Sequence, residues 1–419
     1  MTRRTLWLSL AALAAGVVVV MLLVAQDQLT IRVELPVAAG DERFLPQVAS
    51  LLGAPVTAAG LEVLVNGERA YPAMLAAIEQ ARHRIGFESY IYTDGEVAQR
   101  FTGALAAAAQ RGADVRVVLD AVGAADLSAA QRDALARAGA QLLWFNELHP
   151  WLIESANYRT HRKLLVVDGE VAFTGGIGVG DQWLGDAGSE DEWRDTQFRL
   201  TGPILSLLEG VFYENWIESG GRQVPAIDPA PAADPGMLPT LLVWSGATGG
   251  ASPVKMLFLL SIAGARESID IQSPYLLLDE SSFWALEQAR RRGVRVRLLS
   301  EGEHTDAMPV KLASRHWYER LLNAGLEVYE YQPTMMHAKV MVVDGVWSVL
   351  GTANFNNRSL ELNDELVIAV AGAPLAARLA EDFDADLARS RRIVAEEWRR
   401  RPLVERVRER FWVAFDEIF

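Results

Sequence analysis

The chain has 419 residues, 50% of them hydrophobic and 22% charged, a composition typical of an ordered protein large enough for two lobes. Its formal net charge of −14 argues against a protein whose main task is to bind nucleic acid backbones. Because the chain has no cysteine, disulfides, thiolate metal sites and cysteine nucleophiles are excluded.

The first predicted element is an uncharged apolar run from Leu6 to Ala25, which follows Arg3 and Arg4. Twenty helical residues span roughly 30 Å, the thickness of a bilayer core. We therefore predict that residues 1–28 form an N-terminal transmembrane helix, with a cleaved signal peptide as the alternative. The two arginines favour a location of the remaining chain outside the cytoplasm.

The remainder of the chain contains an internal duplication. Residues 40–220 and 240–388 show the same order of helices and strands, and residues 221–239 form a proline-rich linker between them. Both halves contain a helix that ends at Arg-Gly before a strand, in "ALAAAAQRGADVRVVLD" and "ALEQARRRGVRVRLLS". This alternation predicts an α/β fold of two similar α/β/α-layered lobes packed face to face.

Each half also contains one copy of a nine-residue phrase, "HRKLLVVDG" from His161 and "HAKVMVVDG" from His337. In each copy an apolar strand ends at an Asp-Gly turn, and a second strand returns to a turn of small residues. Since side chains alternate along a strand, the His and Lys of each copy point to one face. A single such phrase is more often a solvated strand edge than a catalytic site.

The duplication and the lysine usage favour chemistry over that structural interpretation. Only 4 of the 40 Lys and Arg residues are lysine, and Lys163 and Lys339 occupy the same position in the two phrases. One histidine can attack an electrophile while the other donates a proton to the leaving group. Two ammonium groups suit the oxygens of a phosphate diester, and the sequence suggests no metal site and no cofactor.

The two phrases resemble the paired HxK(x)4D motifs of the phospholipase D superfamily, and the resemblance extends from Leu61 to about Val370. It implies an active site at the interface of the lobes, with His161 as the nucleophile and His337 as the general acid. It also implies that Lys163, Lys339 and Asn354 bind the phosphate. The first copy has Gly178 where the family commonly has a second Asn.

The resemblance also implies roles for four carboxylates. Glu365 matches the carboxylate that orients a motif histidine, and Asp195 resembles its counterpart in the first lobe, both of them beside the substrate. Asp168 and Asp344 complete the motifs, and we interpret them as bracing residues of the two turns.

Within the superfamily, "THRKLLVVDGEVAFTGGIGVGDQW" and "SVLGTANFNNRSLELNDE" are most similar to bacterial cardiolipin synthases. The resemblance implies transfer of a phosphatidyl group from one phosphatidylglycerol to a second one, through a phosphohistidine, at the bacterial plasma membrane. Phosphatidylethanolamine is an alternative lipid substrate, and no nucleic acid partner is expected.

The C-terminal residues 389–419 form a basic segment. Nine Arg and four Glu lie between Arg389 and Arg410, and apolar residues recur at helical spacing after Pro402. We predict an amphipathic helix that contacts an anionic membrane surface, with packing on the protein itself as the alternative.

Three other functions remain open from the sequence. A lipid-hydrolysing phospholipase D would use the same residues with water as the acceptor. A secreted nuclease of the superfamily would use them on DNA, which the net charge disfavours. An inactive lipid-binding protein ranks last because both motif copies are intact.

Overall fold

A computed structural model describes residues 30–147, 157–246 and 252–413. The predicted transmembrane helix within residues 1–28 lies outside these ranges. Among the residues that are described, no helix is both long enough and apolar enough to cross a bilayer.

The strands, in chain order, are β1 (Val56–Val65), β2 (Arg84–Ser89), β3 (Asp114–Asp120), β4 (Gln141–Phe145), β5 (Lys163–Val167), β6 (Val171–Gly175), β7 (Thr196–Thr201), β8 (Leu238–Trp244), β9 (Ser268–Gln272), β10 (Arg295–Glu301), β11 (Glu327–Tyr331), β12 (Val340–Val343), β13 (Trp347–Gly351), β14 (Leu366–Ala371) and β15 (Ser390–Arg392). The helices are α1 (Phe44–Leu52), α2 (Asn66–Gln80), α3 (Glu96–Gln110), α4 (Ala129–Ala138), α5 (Ile204–Glu218), α6 (Pro253–Gly264), α7 (Glu280–Arg291), α8 (Met308–Asn323), α9 (Asn357–Glu361), α10 (Ala373–Ala388), α11 (Ala395–Arg399) and α12 (Leu403–Val413).

The described strands form one sheet in the order β15-β11-β10-β9-β12-β13-β14-β8-β1-β7-β6-β5-β2-β3-β4. The order on one side of the β8–β1 pair repeats on the other, which confirms the duplicated α/β pattern. In each half three strands are parallel and joined through helices, and the motif hairpin continues the sheet in the antiparallel sense.

The lobes are joined edge to edge through the β8–β1 pair, a connection that the sequence did not predict. The first four residues of β1 pair with β8, and its last six residues pair with β7. Residues of β6 and β13 have Cα atoms within 8 Å of each other, which shows that the sheet coils. Five strand spacings would separate them by about 24 Å in a flat sheet. Coiling therefore turns the two halves toward each other.

Three main clusters of buried side chains hold the layers together. One packs α2 to α4 on the first lobe, and one packs α6 to α8 on the second. The third is shared between the lobes and contains Phe198 of β7, Phe212 of α5, Ile368 of β14 and Leu379 of α10. Because this cluster crosses the β1–β8 junction, the lobes share one continuous apolar interior.

The segment before β1 packs on the second lobe, although it precedes the first lobe in the chain. Phe44 and Val48 of α1 are fully buried in the second-lobe cluster, and the Phe44 ring meets the Trp347 ring edge-on at 4.9 Å. The predicted first-lobe range of 40–220 therefore begins with a segment that packs elsewhere. The sequence of this segment has no feature that indicates its partner.

The two motif hairpins turn at Asp168-Gly169 and Asp344-Gly345. All four residues have positive φ, at 54°, 70°, 51° and 63° respectively. This is the conformation of a type I′ turn, which Asp-Gly adopts readily and whose twist matches the flanking strands. The local sequence thus determines the register of β5, which begins at Lys163, and of β12, which directly follows Lys339.

The C-terminal segment packs on α8. Strand β15 extends the sheet beside β11, and Glu409 of α12 is buried between Arg401, 2.8 Å away, and Arg315, 3.3 Å away. The helix thus turns charged residues toward the protein. Trp412 and Val413 at its end pack against the second-lobe cluster, whereas earlier apolar residues lie on the outside, with exposed fractions of 71% for Leu403 and 59% for Val407.

Candidate active site

Backbone pairing between the lobes places both motif histidines. The His161 amide donates to the carbonyl of Asp364 at 2.9 Å, within an isolated bridge between the first motif and the chain just before β14. In the same way, the His337 amide donates to the carbonyl of Arg194 at 2.7 Å, just before β7. Each motif therefore lies beside the segment that carries the carboxylate of the opposite lobe.

The histidine–carboxylate pairs consequently cross between the lobes. Nδ1 of His161 lies 2.9 Å from Oε1 of Glu365, and Nδ1 of His337 lies 2.7 Å from Oδ2 of Asp195. Both carboxylates are fully buried. The sequence predicted the participating residues but not the exchange, and the structure places Glu365 and Asp195 on the histidine rings.

Further buried donors hold the two carboxylates in place. The Thr352 hydroxyl donates to Oε2 of Glu365 at 2.5 Å, while the Trp183 indole N–H donates to Oδ2 of Asp195 at 2.9 Å. A carboxylate fixed in this way orients its imidazole and selects the tautomer with the proton on Nδ1. Nε2 of each ring is then the atom available for chemistry.

The electrostatics of the site leave both carboxylates ionised and the His161 imidazole neutral. Burial lowers the pKa of His161 to about 4, although Glu365 acts in the opposite direction. Burial, together with the charge of Lys339, also lowers the pKa of His337. Despite their own burial, Asp195 and Glu365 keep a pKa below the usual range because of the cationic groups around them.

The two lysines are buried next to the histidines. Nζ of Lys163 donates to the carbonyl of His161 at 3.0 Å, and Nζ of Lys339 lies 3.2 Å from Nε2 of His337. Burial lowers the pKa of Lys163 to about 7 and that of Lys339 to about 8. A phosphate anion between them would favour their charged forms.

A cavity of about 250 Å³ opens onto both histidines. Asn354 lines it, with an exposed fraction of 5% and with no partner for its Oδ1 among the described residues. At the corresponding first-lobe position, an added Cβ on Gly178 would lie 3.1 Å from Ile91 and 3.2 Å from the Trp183 ring. The Trp183 indole and Ile91 therefore occupy the space that a second Asn would need.

Asp168 and Asp344 do not reach the cavity, because each stands at the far end of its motif strand. Oδ1 of Asp168 accepts from the amides of His83 and Arg84, both at 2.8 Å, and Oδ1 of Asp344 accepts in the same way from Glu267 and Ser268. These contacts tie each hairpin to the neighbouring parallel strand. They match the bracing interpretation rather than a direct role in chemistry.

Sequence reasoning missed several residues that line the site. Tyr90 follows β2 directly, Tyr275 is the third residue after β9, and both line the cavity. The repeat of "ESYIY" in "QSPYLL" was the available signal. Asp306 also lines the cavity, whereas Trp193 stacks at 5.2 Å on the His337 ring. Nothing in the sequence marks these last two.

Comparison with known proteins places this site in context. A family model described as "Cardiolipin synthase, PLD-like domain" matches residues 74–186 and 259–387, which include both motifs. Cardiolipin synthase of Geobacillus kaustophilus (strain HTA426) is 34% identical over 394 residues, covering 93% of this chain and 78% of that protein. Cardiolipin synthase A of Pseudomonas fluorescens (strain Pf-5) is 33% identical over 340 residues, covering 81% and 71%.

A solved structure has the same overall fold. The phosphatidylserine synthase of Haemophilus influenzae Rd KW20 superposes with a TM-score of 0.66 at 14% sequence identity, covering 90% of this chain and 100% of that one. At this identity the likeness concerns the fold alone.

Proposed function

The chain belongs to the cardiolipin synthase family of proteins with phospholipase D-like domains, and from this premise we propose how it acts as a membrane-bound phosphatidyltransferase. It transfers the phosphatidyl group of one phosphatidylglycerol to the terminal hydroxyl of a second, forming cardiolipin and releasing glycerol. The observation that carries this proposal is the pair of carboxylate-bound histidines, with two lysines, around one cavity.

In the first half-reaction, Nε2 of His161 attacks the phosphorus of the donor lipid. The bond between phosphorus and the headgroup oxygen breaks, and His337, which enters this step protonated on both ring nitrogens, gives its Nε2 proton to the departing glycerol. The lowered pKa of His161 supports this order, because a neutral imidazole has a free lone pair at Nε2. Asp195 and Asp306 oppose the lowering of the His337 pKa, which suits a proton donor.

In the second half-reaction, the hydroxyl of the acceptor lipid attacks the phosphohistidine. His337 takes the hydroxyl proton, the bond between phosphorus and His161 breaks, and the enzyme returns to its starting state. Lys163, Lys339 and Asn354 bind the non-bridging oxygens as negative charge grows on them. Glu365 and Asp195 keep the two rings aligned in both steps.

The proposal includes attachment to the bacterial plasma membrane. The apolar run Leu6–Ala25 would anchor the chain, with the globular part on the extracytoplasmic side. The exposed apolar residues of α12, namely Leu403, Val404, Val407 and Phe411, would lie in the lipid interface. The arginines that flank them complement anionic headgroups.

Product analysis tests the activity. Full-length protein is incubated with phosphatidylglycerol in mixed micelles, and cardiolipin, glycerol and phosphatidic acid are quantified beside His161→Ala and His337→Ala. We expect equal amounts of cardiolipin and glycerol, both absent in the two variants. Phosphatidic acid without cardiolipin would identify a hydrolase, and no lipid turnover would refute the proposal. Added phosphatidylethanolamine would reveal a second acceptor.

A further inference from the structure

The two halves of the cavity differ in charge, although the motifs are duplicated. Tyr90 of the first lobe has Arg159 and Arg358 beside it, and all three line the cavity. Tyr275 in the second lobe donates instead from its hydroxyl to Oδ1 of Asp306 at 2.6 Å. Of the described residues that line the cavity, Asp306 is the one carboxylate.

The loop between β10 and α8 produces this asymmetry. It places Asp306 and Ala307 at the cavity, and Val310 follows on the first turn of α8. The corresponding loop after β3 contributes no residue to the cavity lining. It packs beneath Tyr90, where a Cβ on Gly123 would lie 2.3 Å from the Tyr90 carbonyl oxygen.

A carboxylate at this position is unsuited to a phosphate, because the two negative charges repel each other. It is a strong acceptor for hydroxyl donors. Tyr275 occupies Oδ1, and within the described part of the chain no donor is paired with Oδ2. The Asp306 carboxylate and His337 line the same cavity, and the charge of Asp306 acts to raise the pKa of both His337 and Lys339.

On the basis of the proposed function, we propose that Asp306, held by Tyr275, forms a subsite for a free hydroxyl of the glycerol headgroup. The subsite shares the cavity with His337, which gives a proton to the oxygen of the leaving alcohol and takes one from the attacking alcohol. A second hydroxyl on the neighbouring carbon of that alcohol donates to Oδ2 of Asp306. The enzyme thereby favours a vicinal diol over water or a simple alcohol as the acceptor.

A matched pair of soluble acceptors isolates this single hydrogen bond. Full-length protein is given phosphatidylglycerol with equal concentrations of 1,2-propanediol and 1-propanol, and the two phosphatidyl alcohols are quantified. In each reaction the alcohol oxygen displaces His161 from phosphorus and the proton passes to His337. We expect the wild type to prefer the diol about tenfold, as one hydrogen bond to a charged group allows.

The preference should fall to about one in Asp306→Ala and to an intermediate value in Tyr275→Phe, where the carboxylate loses its fixed orientation. The matched control is Glu303→Gln, an exposed carboxylate of the same loop outside the cavity lining, which should keep the wild-type ratio. Because both products form in one tube, the ratio stays measurable at any residual activity.

An unchanged ratio in Asp306→Ala would overturn the subsite, even if the wild type makes cardiolipin. A wild type that makes no cardiolipin, yet prefers the diol through Asp306, would refute the proposed function and retain the subsite. Ethanolamine in a third arm tests the charge of the ligand. If it outcompetes the diol, and does so only when Asp306 is present, the subsite binds an ammonium group and the hydroxyl assignment is wrong.

Discussion

At the scale of single residues, the site depends on groups that are charged and buried together. Glu365 and Asp195 are fully buried, and each contacts the Nδ1 atom of a histidine from the other lobe. Burial of an ionised carboxylate is costly unless it is paired and hydrogen-bonded. Hydrogen bonds from Thr352 and from the Trp183 indole, together with the charge of the nearby ammonium groups, offset this cost here.

The first prediction concerns these carboxylates. Glu365→Gln and Asp195→Asn should each lower kcat for cardiolipin formation about 100-fold. A neutral amide lacks the charge that holds the histidine proton on Nδ1, and the ring then loses its orientation. Steady-state rates on phosphatidylglycerol micelles measure this. Glu62→Gln, on a pair with Arg199 that is largely exposed, serves as the control and should retain wild-type rates. A loss below threefold in either buried variant would argue against the orienting role.

The second prediction concerns pH. His161 has a pKa of about 4 and reacts when neutral, so kcat/KM should rise with pH through that value. His337 must be protonated on Nε2 to act as the acid, and burial together with the charge of Lys339 lowers its pKa, so kcat/KM should fall as pH rises through this lowered pKa. In Lys339→Met the alkaline limb should move to higher pH, because the charge that lowers the pKa of His337 is removed. A profile with the same alkaline limb in both proteins would contradict this assignment.

At the scale of elements, the motif hairpins and the C-terminal helix have distinct tasks. The Asp-Gly turns determine the register of the hairpins, and their aspartates bind the backbone of the adjacent parallel strand. Helix α12 binds α8 through buried charges, packs Trp412 and Val413 on the second-lobe cluster, and leaves its other apolar residues exposed. Helix α12 thus packs on the protein along one side, and its contact with a membrane stays a prediction.

The third prediction separates bracing from catalysis. Asp168→Ala removes the acceptor for the amides of residues 82–84 and should lower the free energy of unfolding by about 2–3 kcal/mol. Asp168→Asn should cost less, because Asn tolerates positive φ and keeps one acceptor oxygen. Urea unfolding measures the stability, and rates below the transition measure kcat. A loss of kcat above tenfold in a fully folded variant would make Asp168 a catalytic residue.

The fourth prediction uses the absence of cysteine from the chain. A polarity-sensitive fluorophore on Val407→Cys should shift to the blue when vesicles rich in phosphatidylglycerol are added, because this side of α12 enters the lipid interface. The same label on Leu51→Cys of α1, whose exposed fraction is 56%, provides the comparison and should show no shift. Equal spectra at Val407 with and without vesicles would exclude the membrane contact of α12.

At the scale of the whole molecule, the two lobes form one continuous structure. The sheet runs through the β1–β8 pair, the third core cluster includes residues of both halves, and each active-site ring depends on a carboxylate from across the interface. Neither half can complete a histidine–carboxylate pair alone.

The fifth prediction follows from this continuity. Thermal unfolding in detergent should show one transition, with equal calorimetric and van't Hoff enthalpies, because neither lobe can separate without exposing the shared core. His161→Ala should keep the single transition, since it leaves the β1–β8 junction intact. Two resolved transitions by calorimetry would show that the lobes unfold independently.

Local patterns and the internal repeat were enough to predict the duplication, the α/β class, the hairpin turns and the identity of the central histidines, lysines and carboxylates. These features depend on local rules, such as apolar periodicity and the conformational preference of Asp-Gly, or on a spacing that both halves repeat. A repeated motif is visible in one sequence because each copy serves as a reference for the other.

The way in which the two copies combine could be seen only in the folded chain. The exchange of Glu365 and Asp195 between lobes, the packing of α1 on the second lobe and the position of Asp306 depend on contacts between residues far apart in the chain. Such contacts leave no periodic pattern in the sequence. The local pattern indicates that a side chain is buried, but it does not indicate which distant residue that side chain contacts. The coil of the sheet selects among these pairings, and it arises from the packing of all the layers together.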